Sequence, residues 1–120
     1  MIVDANVILR YLLNDHKEHS KKAKAIIEKN RFKLTNEIIA EVVYVLEKVY
    51  EIKRKIICES LLNVIESCDV EMEYELIKTA LKLFAYRKLD FVDCLLYSYY
   101  KVNNEIVVTF DKKLLKMFDH

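Results

Sequence analysis

The sequence predicts an α/β fold, a parallel sheet covered by helices on both faces, on two observations. Short apolar runs recur between longer segments of helical period, and they are continuous rather than alternating, as strands buried on both sides are. The last of them, residues 105–110, is rich in β-branched side chains and reads as the clearest strand. Strands separated by helices imply right-handed crossovers, which place all strand C-termini along one edge. In open sheets of this kind ligands bind at that edge.

Taken in order, residues 1–3 form a short apolar run that predicts a first strand, ending at Asp4. Residues 6–13 follow with Val7, Ile8, Tyr11 and Leu12 at helical spacing. Residues 18–29 predict a second helix with Ala23, Ile26 and Ile27 inward and the lysines outward. Residues 32–35 give a weak second strand, and Asn36 suits the N-cap of a strong helix over 37–50. A helix over 54–67 shows Ile57, Leu61, Leu62 and Ile65 at helical spacing, and residues 70–72 suggest a third strand. Residues 74–87 are helical through Leu76, Ile77, Ala80, Leu81 and Phe84. Asp90 suits the N-cap of a helix running to residue 102, with Asp93 three residues on in a box-like pattern. After the strand at 105–110, Asp111 caps a last helix through residue 118. Glycine and proline are both absent, so turns fall to Asn and Asp; Asn14, Asn30 and the pair Asn103–Asn104 sit where helices should end.

A chain of 120 residues with 53% hydrophobic and 32% charged residues is expected to form a single domain over residues 1–120 with a substantial core. No apolar run approaches the ~20 residues of a membrane-spanning helix, and no basic-then-apolar start suggests a secretory signal, so a cytoplasmic location is expected. A net charge of +1 excludes recognition of nucleic acid by bulk charge, leaving a local patch or metal ions. Cys58, Cys68 and Cys94 form no CxxC pair and lie in helical apolar settings, so buried free thiols are expected.

Four acids keep apolar company. Asp4 and Asp111 end strands, Glu41 lies between Ile38-Ile39-Ala40 and Val42-Val43, and Asp93 lies between Phe91-Val92 and Cys94-Leu95-Leu96. Each is expected to point to the brink of the core, where an uncompensated carboxylate is costly. Converging at one sheet edge, four such charges would repel and raise one another's pKa values. Mg²⁺ or Mn²⁺ would resolve this, taking carboxylate oxygens while keeping waters and room for a phosphate. Such a set suits metal-assisted phosphodiester hydrolysis. Taken singly, Asp4 and Asp111 also suit helix N-caps, and Asp93 suits a capping box. Glu41 is the acid that no cap accounts for, although it could pair with a lysine or reach solvent.

The ordered set Ile2-Val3-Asp4-Ala5-Asn6, residues 35–41, residues 89–96 and residues 108–114 resembles the PIN domain family, over essentially the whole chain, and among its members the short VapC-type toxins of toxin–antitoxin pairs. The resemblance implies a PIN-like three-layer α/β/α sandwich with a central parallel sheet of about four strands, the final strand of longer members being absent. It implies a Mg²⁺- or Mn²⁺-dependent endoribonuclease with Asp4, Glu41, Asp93 and Asp111 as catalytic, metal-binding acids. Asn6 and Thr109 map to supporting polar positions. The implied partners are an RNA substrate, a VapB-type antitoxin and a second copy in a homodimer, with no membrane. Asp90 suits either a cap or the acidic groove. The alternatives are a PIN-like RNA- or protein-binding module that does not cut, and a phosphoacceptor receiver domain, which normally carries an acidic pair after its first strand where Asp4 stands alone.

His16 and His19 could share a metal but sit in a polar stretch where solvent exposure is expected, since a histidine site needs further converging ligands. Arg10, Lys112 and Lys113 could contact phosphate. Tyr97, Tyr99 and Tyr100 could stack bases or serve as core or dimer surface.

Overall fold

The computed structural model describes residues 1–118. The chain forms two compact units, Met1–Met72 and the chain from Glu73 onward.

In the first unit, α1 (Ala5–Leu13) and α2 (Lys17–Lys29) precede strand β1 (Phe32–Lys33). Helices α3 (Asn36–Lys48) and α4 (Arg54–Ser67) follow, then strand β2 (Val70–Glu71). The two strands pair in parallel, Phe32 opposite Val70 and Lys33 opposite Glu71. A single parallel bridge joins Ile2 to Lys33, where the Lys33 amide donates to the Met1 carbonyl at 2.7 Å. The parallel arrangement is therefore the predicted one, and Phe32 and Leu34, at 1% and 2% exposure, bury it.

The helices follow their apolar period. On α3, Ile39, Val42, Val43 and Leu46 form a buried stripe at i, i+3, i+4 and i+7. Glu41 falls outside that stripe and is exposed. Flanking aliphatics suggested that it approached the core; helical geometry, with 3.6 residues per turn, turns it outward instead.

Helix ends explain the turns of a chain lacking glycine. The Asp4 carboxylate accepts from the Val7 amide at 3.1 Å and caps α1. Asn14 ends that helix in the left-handed region (φ 50°), as predicted, and Asn104 does the same in the second unit (φ 57°). Asn30 instead stays extended and donates from Nδ2 to the Ile26 carbonyl at 3.0 Å. The N-cap of α3 is Thr35 rather than Asn36, its hydroxyl accepting from Ile38 at 3.4 Å. Glu51 also adopts φ 53°, a conformation that costs a residue with a Cβ about 1 kcal/mol.

In the second unit, α5 (Tyr74–Tyr86), α6 (Phe91–Asn103) and α7 (Lys112–Met117) pack together. Phe84 meets Phe91 edge to face, 5.7 Å between centroids, a pair contributing about 1 kcal/mol beyond its burial. Ser98 is fully buried and satisfied, donating to the Cys94 carbonyl at 2.7 Å.

The strand predicted at 105–110 does not form among the described residues, so the sheet holds two strands and a bridge rather than four strands. Ile106, Val108 and Phe110 are 91%, 85% and 96% exposed. The physical reason is that β propensity measures packing against a neighbouring strand, and no described strand pairs with this segment; Val107 and Thr109 are only half-buried. Cys58 and Cys94 are buried free thiols as expected, while Cys68 is half-buried.

Candidate functional site

Of the four acids, Asp93 differs most from an ordinary surface carboxylate. It lies in the first turn of α6, where Phe91, Cys94 and Leu95 face inward, and is itself half-buried. Among the described residues it has no hydrogen bond and no ion pair. The proposed capping-box contact with Asp90 is therefore not made. Burial pushes its carboxyl above the ordinary aspartate value, and the charges of Asp111 and Asp90 push it further.

Asp90 stands at the N-cap of α6 with extended backbone (φ −66°, ψ 153°), yet its side chain makes no capping hydrogen bond. The carboxylate is left available, so Asp90 joins Asp93 and Asp111 electrostatically. Of the two roles the sequence allows for Asp90, cap or member of the acidic groove, the missing cap bond favours the second.

Asp111 caps α7. Its Oδ1 accepts from the amides of Lys113 and Leu114 at 2.9 and 3.1 Å. Its own amide donates to the Thr109 hydroxyl at 3.0 Å, so Thr109 organises the turn that presents Asp111. Thr109 thus acts on the Asp111 backbone.

In the first unit, Asp4 is exposed and engaged as the α1 cap, Asn6 is exposed, and Glu41 is exposed on α3 with no hydrogen bond or ion pair among the described residues. Arg10 is committed elsewhere, to Asp15 at 2.7 Å and to the Tyr50 hydroxyl at 3.3 Å. His16 and His19 stack at 4.2 Å, and His16 Nδ1 accepts from the His19 amide as the cap of α2. In the second unit, Tyr97 stacks on Phe118, and Tyr100 packs against that ring while donating to the Phe118 carbonyl at 3.0 Å. These two rings serve packing.

Among the described residues no group of three or more His, Cys, Asp or Glu side chains is close enough to hold a metal ion. Carboxylate oxygens are the donors that hard divalent cations take. Asp93 is unpartnered and repelled by two further carboxylates, which is the electrostatic condition that such a cation relieves. A family model, the PIN domain, matches residues 1–118. The chain belongs to the PIN domain family. PIN domains are α/β proteins, generally nucleases that use divalent metal ions and often toxins of toxin–antitoxin systems. No curated protein and no solved structure matches the chain. For this PIN domain, nucleic acid is the substrate class that membership suggests. No helix among the described residues is long and apolar enough to cross a membrane.

Proposed function

We propose that the chain is a Mg²⁺- or Mn²⁺-dependent endoribonuclease acting on RNA phosphodiester bonds, and the toxin of a VapBC-type pair. The observation that carries this reading is the PIN domain match over residues 1–118. Asp93 is its best-supported ligand, being half-buried, unpartnered and beside like charges. Asp4, Glu41 and Asp111 are the other proposed metal-binding, catalytic acids. Asn6 and Thr109 are supporting polar residues, Thr109 through the turn that carries Asp111. When bound, the cation supplies positive charge for the phosphodiester and acidifies water. Asp4 keeps a helix cap while offering its second oxygen, since only Oδ1 accepts from Val7. The protein works in the cytoplasm as a homodimer held inactive by a VapB-type antitoxin.

Cleavage of end-labelled single-stranded RNA tests the reading. Cutting is expected with Mn²⁺, none with EDTA, and none for Asp4→Asn, a substitution that retains a good N-cap. Full activity in Asp4→Asn would remove that residue from the site. RNA binding without cutting under any divalent cation would favour a non-cleaving PIN module. Growth arrest on expression, relieved by the product of the neighbouring reading frame, is the expected sign of a toxin.

A further inference from the structure

A second region carries chemistry that the acids do not use. Between α1, α2 and α4 of the first unit lies an open groove of about 570 Å³. Lys17, Lys21 and Lys24 line it. Their spacing, i, i+4 and i+7, puts them on one face of α2 over about 10 Å of helix axis, at 1.5 Å per residue. Charge is segregated here, since α2 carries five lysines against two glutamates in a chain of net charge +1. Lys22 on another face is engaged by Glu18 at 3.9 Å. Lys17, Lys21 and Lys24 have no ion-pair partner among the described residues.

The facing walls mix neutral polar side chains with the apolar surface of Tyr11, Leu12 and Val64. Asn14, Ser60 and Asn63 line the same groove, and their side chains suit phosphate and sugar oxygens as readily as water. The one carboxylate lining the groove, Glu28, is engaged by the Tyr11 hydroxyl at 2.9 Å. A solvated lysine face is ordinary on a surface helix. A concave one, with neutral hydrogen-bonding groups beside the lysines and apolar surface for a base or sugar to lie against, is complementary to a flexible single strand.

We propose that this groove binds the phosphate backbone of single-stranded RNA, with Lys17, Lys21 and Lys24 as the phosphate contacts. The proposal rests on the nuclease reading for its choice of polyanion, and it gives that reading a substrate-holding surface separate from the acids. The contacts are to backbone, so the groove supplies affinity and register without base preference.

Fluorescence anisotropy of the full chain with a labelled oligouridine, in EDTA so that nothing is cut, tests it. Lys21→Gln/Lys24→Gln is compared with Lys22→Gln/Lys29→Gln, which removes the same charge from the same helix outside the groove. The groove pair should lower the slope of log affinity against log salt by about 1.4, at about 0.7 per lost phosphate contact. The control pair should leave that slope unchanged. Lys21→Arg/Lys24→Arg, which keeps the charge, should restore the slope. Equal effects of the two glutamine pairs, or no effect of either, would overturn the proposal, as would an acidic peptide that competes as well as RNA.

Failure of the groove and failure of the nuclease reading are distinguishable. If the lysine pair governs binding but no cation supports cutting, the groove stands and the nuclease reading falls. If Mn²⁺ supports cutting while both pairs bind alike, the reverse holds.

Discussion

Asp4 and Asp93 are both aspartates at the beginning of a helix, one in each unit, and they meet different fates. Asp4 is exposed, and its carboxylate accepts a 3.1 Å bond from the Val7 amide. A helix N-terminus welcomes such a charge, and the cap accounts for the residue without further partners. Asp93 is half-buried, accepts nothing among the described residues, and is pushed toward its neutral form by burial and by Asp111 and Asp90. Local structure satisfies the first and leaves the second in deficit. The difference teaches where a cation would matter most: at the acid that the fold does not satisfy.

The largest expected effect falls on Asp93. Asp93→Asn should lower the single-turnover rate of RNA cleavage at least about 100-fold, since even outer partners of metal ligands cost 10–100-fold. Its circular dichroism should stay native. Asp90→Asn should cost less, because Asp90 is exposed. Equal losses would place the two acids in equivalent roles and blur the contrast.

A smaller effect separates capping from ligation at Asp4. Asp4→Ala should lower stability by about 1 kcal/mol, read from denaturant midpoints, through loss of the cap. Asp4→Asn should be near neutral for stability, yet both variants should lose cleavage. If Asp4→Asn were as unstable as Asp4→Ala, the charge rather than the hydrogen bond would hold the helix start.

The smallest effect concerns pH in metal-free buffer. Asp93 has a folded pKa raised above its unfolded value, so between the two the folded state binds more protons. Stability from this group is therefore fully present below the unfolded aspartate value and is lost as pH rises through the raised folded one. Melting curves in EDTA should show a shallower acid-side pH dependence for Asp93→Asn, with the variant the more stable at neutral pH. A parallel pH dependence would mean that Asp93 is satisfied after all.

Much of this was legible in the residues. Helical period placed the helices, Leu76, Ile77, Ala80, Leu81 and Phe84 being buried as their spacing requires. The caps at Asp4 and Asp111, and the left-handed turns at Asn14 and Asn104, follow from elementary side-chain chemistry. Glu41 was also legible, but only by its place relative to the stripe of Ile39, Val42, Val43 and Leu46; its immediate neighbours misled. Residues 105–110 were not legible, because strand formation depends on a partner that no local pattern encodes. The groove lysines stood on the outward face of α2 in the sequence, whereas the concavity they line depends on how α1 and α4 pack around that helix.

Thermal melting across a Mn²⁺ titration reads out the proposed binding of a divalent cation through Asp93. An ion binding only the folded state stabilises it by about 2.7 kcal/mol at 100 times its Kd. The wild type should therefore show a melting temperature that climbs with Mn²⁺, and Asp93→Asn should show none of that climb. A flat wild-type curve at millimolar Mn²⁺, or an identical climb in Asp93→Asn, would contradict the account.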